Sequence, residues 1–208
     1  IDIIGIEPYH KERLKEDYFQ RIIAPLAAAP PDVIYMVSYL NDGALLVKQI
    51  RESKINALLA GGAGGFTHPK FIDKVGPSAD NLLTATLWTP QLQYAGTEAY
   101  YKEYTDTYGT PPDYHGAEAF SALLVAADAL RRAENFKPAS IRAALDAADI
   151  VTPFGPVKFT AHGKYERQNS LPTQVLQIVN GKLECIWPEE HATSEFVAPP
   201  EWKAPSTE

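Results

Sequence analysis

The chain has 208 residues, a net charge of −7 and a single cysteine, Cys185. That length builds one generous domain or two small ones, and 45% hydrophobic with 22% charged residues is ordinary globular composition. The acidic balance argues against nucleic acid or an anionic membrane as the main partner. One cysteine excludes an internal disulfide and a cysteine-rich metal site, and fits the cytosol and a disulfide-free periplasmic protein equally. No apolar run approaches the roughly 18 to 20 residues that span a bilayer.

The opening IDIIGI (1–6) reads as a short buried strand already under way, so the chain is expected to be part of a longer one. In KERLKEDYFQRIIAPLAAA (11–29), Leu14, Tyr18, Ile22 and Leu26 recur at i+4, a helical stripe, with Pro25 placed to kink or end it. VIYMVSYL (33–40) is an apolar, β-branched and aromatic strand. Asn41 or Asp42 is positioned to cap a helix over 43–53. NALLA (56–60) is the next strand, followed by a glycine-rich loop, a short helix near 69–75 and a strand in NLLTATLW (81–88). Such alternation of strand and helix is the pattern of an open, mostly parallel α/β sheet.

Beyond Gln91 the texture changes. GTEAYYKEYTDTYG (96–109) is polar, with Tyr100 and Tyr104 one helical turn apart. Asp113 can cap a helix over 114–134, and Pro138 begins another over 138–148. Short strands are expected around Gly155-Pro156 and His162-Gly163, then a hairpin over 173–188 turning at Asn180-Gly181. The residues after it, with Pro199, Pro200 and Pro205, form a surface tail over 191–208.

Ligands of open α/β sheets bind beyond the carboxyl ends of the strands. The candidate loops are therefore Glu7–His10, Ser38–Asp42, Gly61–Thr67 and Trp88–Pro90, three of which carry an aromatic ring directly after the strand. The run GGAGG (61–65) invites a phosphate reading, which its surroundings oppose. No Gly-Lys-Ser/Thr ends it, Thr67 stands where the third glycine of a dinucleotide fingerprint belongs, and the following strand ends in Trp88 rather than an acid. The glycines then serve a close backbone approach or a tight turn. No G-x-S-x-G elbow occurs, and histidines 10, 68, 115, 162 and 191 show no metal-ligand spacing. His162 reads as a turn residue, Cys185 as an inert core thiol, and Glu118 as part of a solvated helix face.

The order PPDVIYMVSYLNDGALLVKQIRES, NALLAGGAGG, ADNLLTATLWTP, FGPVKFTAHGKY and QVLQIVNGKLECIWP resembles the carboxyl-terminal part of branched-chain amino acid binding proteins of ABC importers, the type I periplasmic binding proteins. The resemblance covers residues 1 to about 188. It implies two Rossmann-like lobes of parallel sheet flanked by helices, with the first lobe incomplete in this chain. Residues 1–88 would belong to the second lobe, 89–172 to the returning part of the first, and 173–190 to a crossing back. The family places aromatics at positions matching Tyr39 and Tyr114. Its ammonium-binding glutamate falls at Ala63, and no carboxylate occurs from Leu58 to Thr67, so Asp42, Glu7 or Glu118 would have to substitute.

The reading is a solute-binding protein, without catalysis or cofactor, that captures a small organic ligand between lobes and hands it to a membrane permease from the periplasm or a lipid-anchored extracellular position. Tyr39, Trp88 and Tyr114 are expected as apolar walls, Gly62, Ala63, Gly64 and Phe66 as a close-approaching loop, and Asn41 and His115 as polar orienters. The ligand is a carboxylic acid, aromatic ones included, or an amino acid, and the missing carboxylate favours the acid. The alternatives are a ligand-sensing domain of a receptor or regulator, or an α/β enzyme with Glu118 and His115 as catalytic groups.

Overall fold

The computed structural model describes residues 1–10 and 18–202, so Leu14 of the expected helical stripe and residues 203–208 of the tail lie outside the described residues. The chain divides into two compact units, one formed by Ile1–Ala85 with Gln174–Glu208 and the other by Thr86–Thr173.

In the first unit, helix α1 runs from Gln20 to Ala28. Tyr18, Ile22 and Leu26 pack against the core as the i+4 stripe requires, and Phe19 and Ile23 are buried beside them. Pro25 sits inside α1 without ending it, and its carbonyl accepts the Ala29 N–H at 3.2 Å. Strands β1 (Val33–Val37), β2 (Leu58–Gly62) and β3 (Leu83–Thr86) are joined by parallel pairing. The register sets Val33 against Leu58, Val37 against Gly62 and Ala60 against Leu83. Between the first two lies α2 (Leu40–Glu52), and between the next two lie α3 (Phe71–Val75) and a 3₁₀ turn over Gly76–Ala79. Gly76 ends α3 in the left-handed region at φ 71°, with Pro77 behind it.

One face of this sheet carries Met36 and Leu59 into a core with Val47 and Ile50 of α2, Phe71 and Val75 of α3, and Phe66. On the other face of β1, Val33, Tyr35 and Val37 are exposed, so this strand alternates strictly between core and surface. The sheet order is β1-β2-β3-β8-β9, where β8 (Gln174–Val179) and β9 (Lys182–Trp187) form an antiparallel hairpin. Asn180 and Gly181 turn that hairpin at φ 51° and 73°, the pair of left-handed conformations that the Asn-Gly dipeptide supplies cheaply. Gln177 is fully buried, and its side-chain amide holds the tail by exchanging hydrogen bonds of 2.7 and 2.8 Å with the backbone of Val197. Cys185 is buried, and burial pushes its thiol up, as an inert core position requires.

Two local expectations are corrected. Residues 1–6 form no strand, and Ile1, Ile3, Ile4 and Ile6 are all exposed. A β-branched run becomes a strand only where another strand completes its backbone hydrogen bonds, and no such partner pairs with it among the described residues. Neither Asn41 nor Asp42 is the N-cap of α2: the helix begins at Leu40, Tyr39 occupies the cap, and Asp42 reaches back from the third position to accept the Tyr39 N–H at 3.2 Å.

The second unit holds α4 (Thr97–Tyr108), α5 (Tyr114–Arg132), α6 (Pro138–Asp146) and two antiparallel hairpins. These are β4 (Asp149–Thr152) with β5 (Gly155–Lys158), and β6 (Thr160–His162) with β7 (Tyr165–Gln168). Asp113 caps α5 by accepting the Gly116 N–H at 3.0 Å. The core gathers Trp88, Leu92, Tyr100, Ala117 and Phe154. Its polar hub is the Pro153 carbonyl, which accepts the Trp88 indole N–H at 2.8 Å and the Thr97 hydroxyl at 2.9 Å.

Two measurements test this packing. Replacing Phe66 with alanine removes a fully buried ring, and chemical denaturation should show a loss of about 3–5 kcal/mol. The Tyr100 hydroxyl is buried without a hydrogen-bond partner among the described residues. Burial, first, and the neighbouring Tyr104 push it from 10.0 up to about 12. A raised folded-state value means the contribution is whole below about pH 10 and is lost as pH climbs toward about 12. Tyr100→Phe should therefore flatten that alkaline decline and, by removing an unpaired buried group, leave neutral-pH stability equal or up to about 1 kcal/mol higher.

Candidate functional site

The carboxyl ends of β1 and β2 bring two chain segments together. Ser38 donates its N–H to the Gly62 carbonyl at 3.4 Å, extending the ladder by one step. The chain then leaves β1 through Tyr39, which is 61% exposed, and enters α2 past the exposed Asn41. From β2 it turns through Ala63 and Gly64, both in the left-handed region at φ 67° and 72°. Ala63 pays a steric cost there that glycine would avoid, which marks the turn as imposed by its surroundings.

Those surroundings are close. A Cβ on Gly65 would stand 2.4 Å from the Tyr39 carbonyl carbon and 2.5 Å from the Ser38 oxygen, so the bare backbone at 65 lets the two segments abut. A Cβ on Gly62 would meet the Tyr35 hydroxyl at 2.4 Å, so the Tyr35 phenol lies over the end of β2. Five of the expected positions, Tyr39, Asn41, Gly62, Ala63 and Gly64, are thus collected at one edge of the first unit.

Phe66, expected in the close-approaching loop, does not join them at the surface. It is fully buried, packed edge-on to Phe71 at 5.2 Å, and fills the space beneath Gly43 and Gly61. Trp88 is likewise 3% exposed, committed to the core of the second unit by its indole hydrogen bond and by its contact with Tyr100 at 6.1 Å. Both rings follow strands or loops in the sequence exactly where a ligand wall could be, and both bury their apolar area instead because a core neighbour is in reach.

In the second unit, Tyr114 and His115 open α5 with their rings stacked at 3.9 Å. Tyr114 also leans on the Trp88 cluster, while the His115 side chain is 65% exposed, with Nδ1 3.5 Å from the Asp113 carboxylate.

The carboxylates sort clearly. Asp42 is 4% exposed, and its Oδ2 receives the Tyr9 hydroxyl and the Tyr39 N–H. It is engaged inside the fold, with both of these donors on one of its oxygens. Glu7 and Glu118 are exposed. Sequence places Tyr9 and Asp42 in two candidate loops and offers Asp42 as a substitute carboxylate, but it does not reveal their pairing, which joins positions 33 residues apart. The available signal was the aromatic of Glu7–His10 following a strand-like run. No group of three or more His, Cys, Asp or Glu side chains that could hold a metal occurs among the described residues, and no helix there is long and apolar enough to cross a membrane.

Residues 7–182 match the family of periplasmic binding proteins. Among characterised sequences, the Leu/Ile/Val-binding protein homolog 7 of Brucella suis is 28% identical over 192 residues, covering 86% of this chain and 46% of that protein. The chain thus spans about half the length of the curated relatives it matches. Among solved structures, a solute-binding protein of an R. palustris ABC transporter, determined with benzoate, superposes with a TM-score of 0.68 at 21% identity, covering 81% of this chain and 46% of that one. The branched-chain amino acid transporter substrate binding protein LivJ from Streptococcus pneumoniae, determined with isoleucine, also gives 0.68 at 21% identity, over 89% of this chain and 49% of that one. The fold is the one these proteins share, and with the match extending over residues 7–182 this chain belongs to the periplasmic binding protein family.

Proposed function

We propose that this chain is part of a solute-binding protein that captures a small carboxylic acid, aromatic acids foremost, and delivers it to the membrane permease of an ABC importer from the periplasm or the outer face of the membrane. The observation that carries the ligand class is electrostatic. The exposed Tyr39 stands beside a backbone loop, Gly62 to Gly64, that offers no carboxylate, and the buried acid Asp42 is already hydrogen-bonded.

An α-amino acid brings an ammonium group, and taking it from water without a charged or well-placed acceptor costs several kcal/mol. A carboxylic acid with an apolar or aromatic body makes no such demand on this wall. It needs a ring or aliphatic surface against Tyr39, and a polar group such as Asn41 to orient it. Ligands of both kinds occur among the fold neighbours, benzoate in the R. palustris protein and isoleucine in the S. pneumoniae one. Binding works by differential affinity: contacts made in one conformation only shift the equilibrium toward it.

Two experiments test this reading in the full-length protein. Mass spectrometry of denatured extracts should find a co-purified carboxylic acid, and in a thermal-shift panel benzoate and related acids should stabilise, by roughly 2.7 kcal/mol at 100 times Kd. Stabilisation by leucine and isoleucine alone would overturn the ligand class. Ala63→Glu places a carboxylate in the loop at a residue that already tolerates a positive φ. It should raise leucine affinity by about tenfold or more, the scale of one charge-assisted hydrogen bond, while weakening benzoate.

A further inference from the structure

Tyr9 lies far from β1 in sequence, yet its side chain ends at the carboxyl end of that strand. The ring is seated edge-on against the buried Phe19 at 5.1 Å. Its hydroxyl lies 3.1 Å from the Val37 carbonyl, 2.6 Å from Ser38 Oγ and in a short contact with Asp42 Oδ2. A phenol has one proton to give, and an ionised carboxylate can only accept. The Tyr9 proton therefore goes to Asp42, and the Ser38 hydroxyl, 1% exposed, turns its own proton to the Tyr9 oxygen.

Asp42 Oδ2 receives a second hydrogen bond from the Tyr39 backbone N–H at 3.2 Å. The result is a relay from Tyr9 through Asp42 to the backbone of the residue whose ring is exposed. Gly65 closes the opposite side, since a Cβ there would collide with Tyr39 Cα and carbonyl carbon at 2.7 and 2.4 Å. Tyr39 is held from both sides by groups that touch its backbone. Burial, reinforced by the adjacent Asp42, pushes the Tyr9 hydroxyl above its ordinary range, so the phenol keeps its proton.

We infer that Tyr9 is a positioning residue for ligand selectivity: by holding Asp42 in the first turn of α2 it fixes the Tyr39 wall and withholds the Asp42 carboxylate from any ligand ammonium. The inference rests on the ligand-binding reading given above and adds the element that sets its preference. Without the Tyr9 proton, Asp42 would keep only the Tyr39 N–H among the donors of the described residues, and its carboxylate would be short of a partner in a buried position. An incoming ammonium would supply one.

The test compares wild type, Tyr9→Phe and Asp42→Asn in the full-length protein, with benzoate and leucine as probes. Tyr9→Phe should weaken benzoate by about tenfold and strengthen leucine, so that the affinity ratio changes by more than either constant. Asp42→Asn keeps a carbonyl oxygen to accept from both Tyr9 and Tyr39, and should hold benzoate within about threefold of wild type. Amide hydrogen exchange at residues 39–42 supplies a readout that needs no ligand: faster in Tyr9→Phe, unchanged in Asp42→Asn. Unchanged exchange in Tyr9→Phe, an unchanged affinity ratio, or equal losses in the two variants would overturn the inference. Wild type that binds neither probe would overturn the ligand class instead, and the exchange comparison would still decide whether Tyr9 positions Tyr39.

Discussion

The Phe66 ring occupies volume that side chains at two other positions would need. A Cβ on Gly61 would lie 2.4 Å from it and one on Gly43 3.2 Å, so the ring is lodged under β2 and against the first turns of α2. Close packing of this kind leaves no room to relax, and every group that rests on the ring inherits its position. The loop carrying Ala63 and Gly64 is one such group, because it must bring the chain from the end of β2 back to the buried Phe66 within a few residues. Gly65 is another, pressed on the Tyr39 backbone as a consequence. Gly61 and Gly65 of GGAGG thus answer a packing requirement, and Gly62 does the same against the Tyr35 hydroxyl.

Charge follows from the same geometry. With its first turn pressed against the loop, α2 directs Asp42 inward, where the Tyr9 phenol and a backbone N–H satisfy it. The acid stabilises the helix start, as carboxylates near N-termini do, and is not left over for a ligand. On the proposed reading, an edge that shows an aromatic ring, a bare backbone and no free acid among Tyr39, Asn41 and Gly62 to Gly64 would discriminate by omission as much as by contact.

Much of the local structure could be read directly. Asn180-Gly181 announced a two-residue hairpin turn, Asp113 a helix cap, and the run Tyr18, Ile22, Leu26 a buried stripe, because each depends on short-range stereochemistry. The missing carboxylate at Ala63 is equally plain from sequence. Phe66 and Trp88 were harder: an aromatic after a strand can line a surface or turn into a core, and the choice rests on partners far along the chain. For Trp88 that partner is the Pro153 carbonyl, 65 residues away, and for Asp42 it is Tyr9, 33 residues back. The isoleucines of IDIIGI failed for the complementary reason, since strand propensity expresses itself only against a neighbouring strand.

The two tryptophan environments give the molecule a built-in optical division of labour. Trp88 is the sole indole of the Thr86–Thr173 unit, shielded from solvent and hydrogen-bonded to a carbonyl, whereas Trp187 and Trp202 belong to the other unit and Trp187 is 55% exposed. Burial should blue-shift Trp88 emission and close it to an aqueous quencher such as iodide, and exposure should leave Trp187 emission open to it. Fluorescence of the unmodified protein would then separate loosening of the unit around Pro153 from events at the sheet edge that bears β9, with no label introduced at either place.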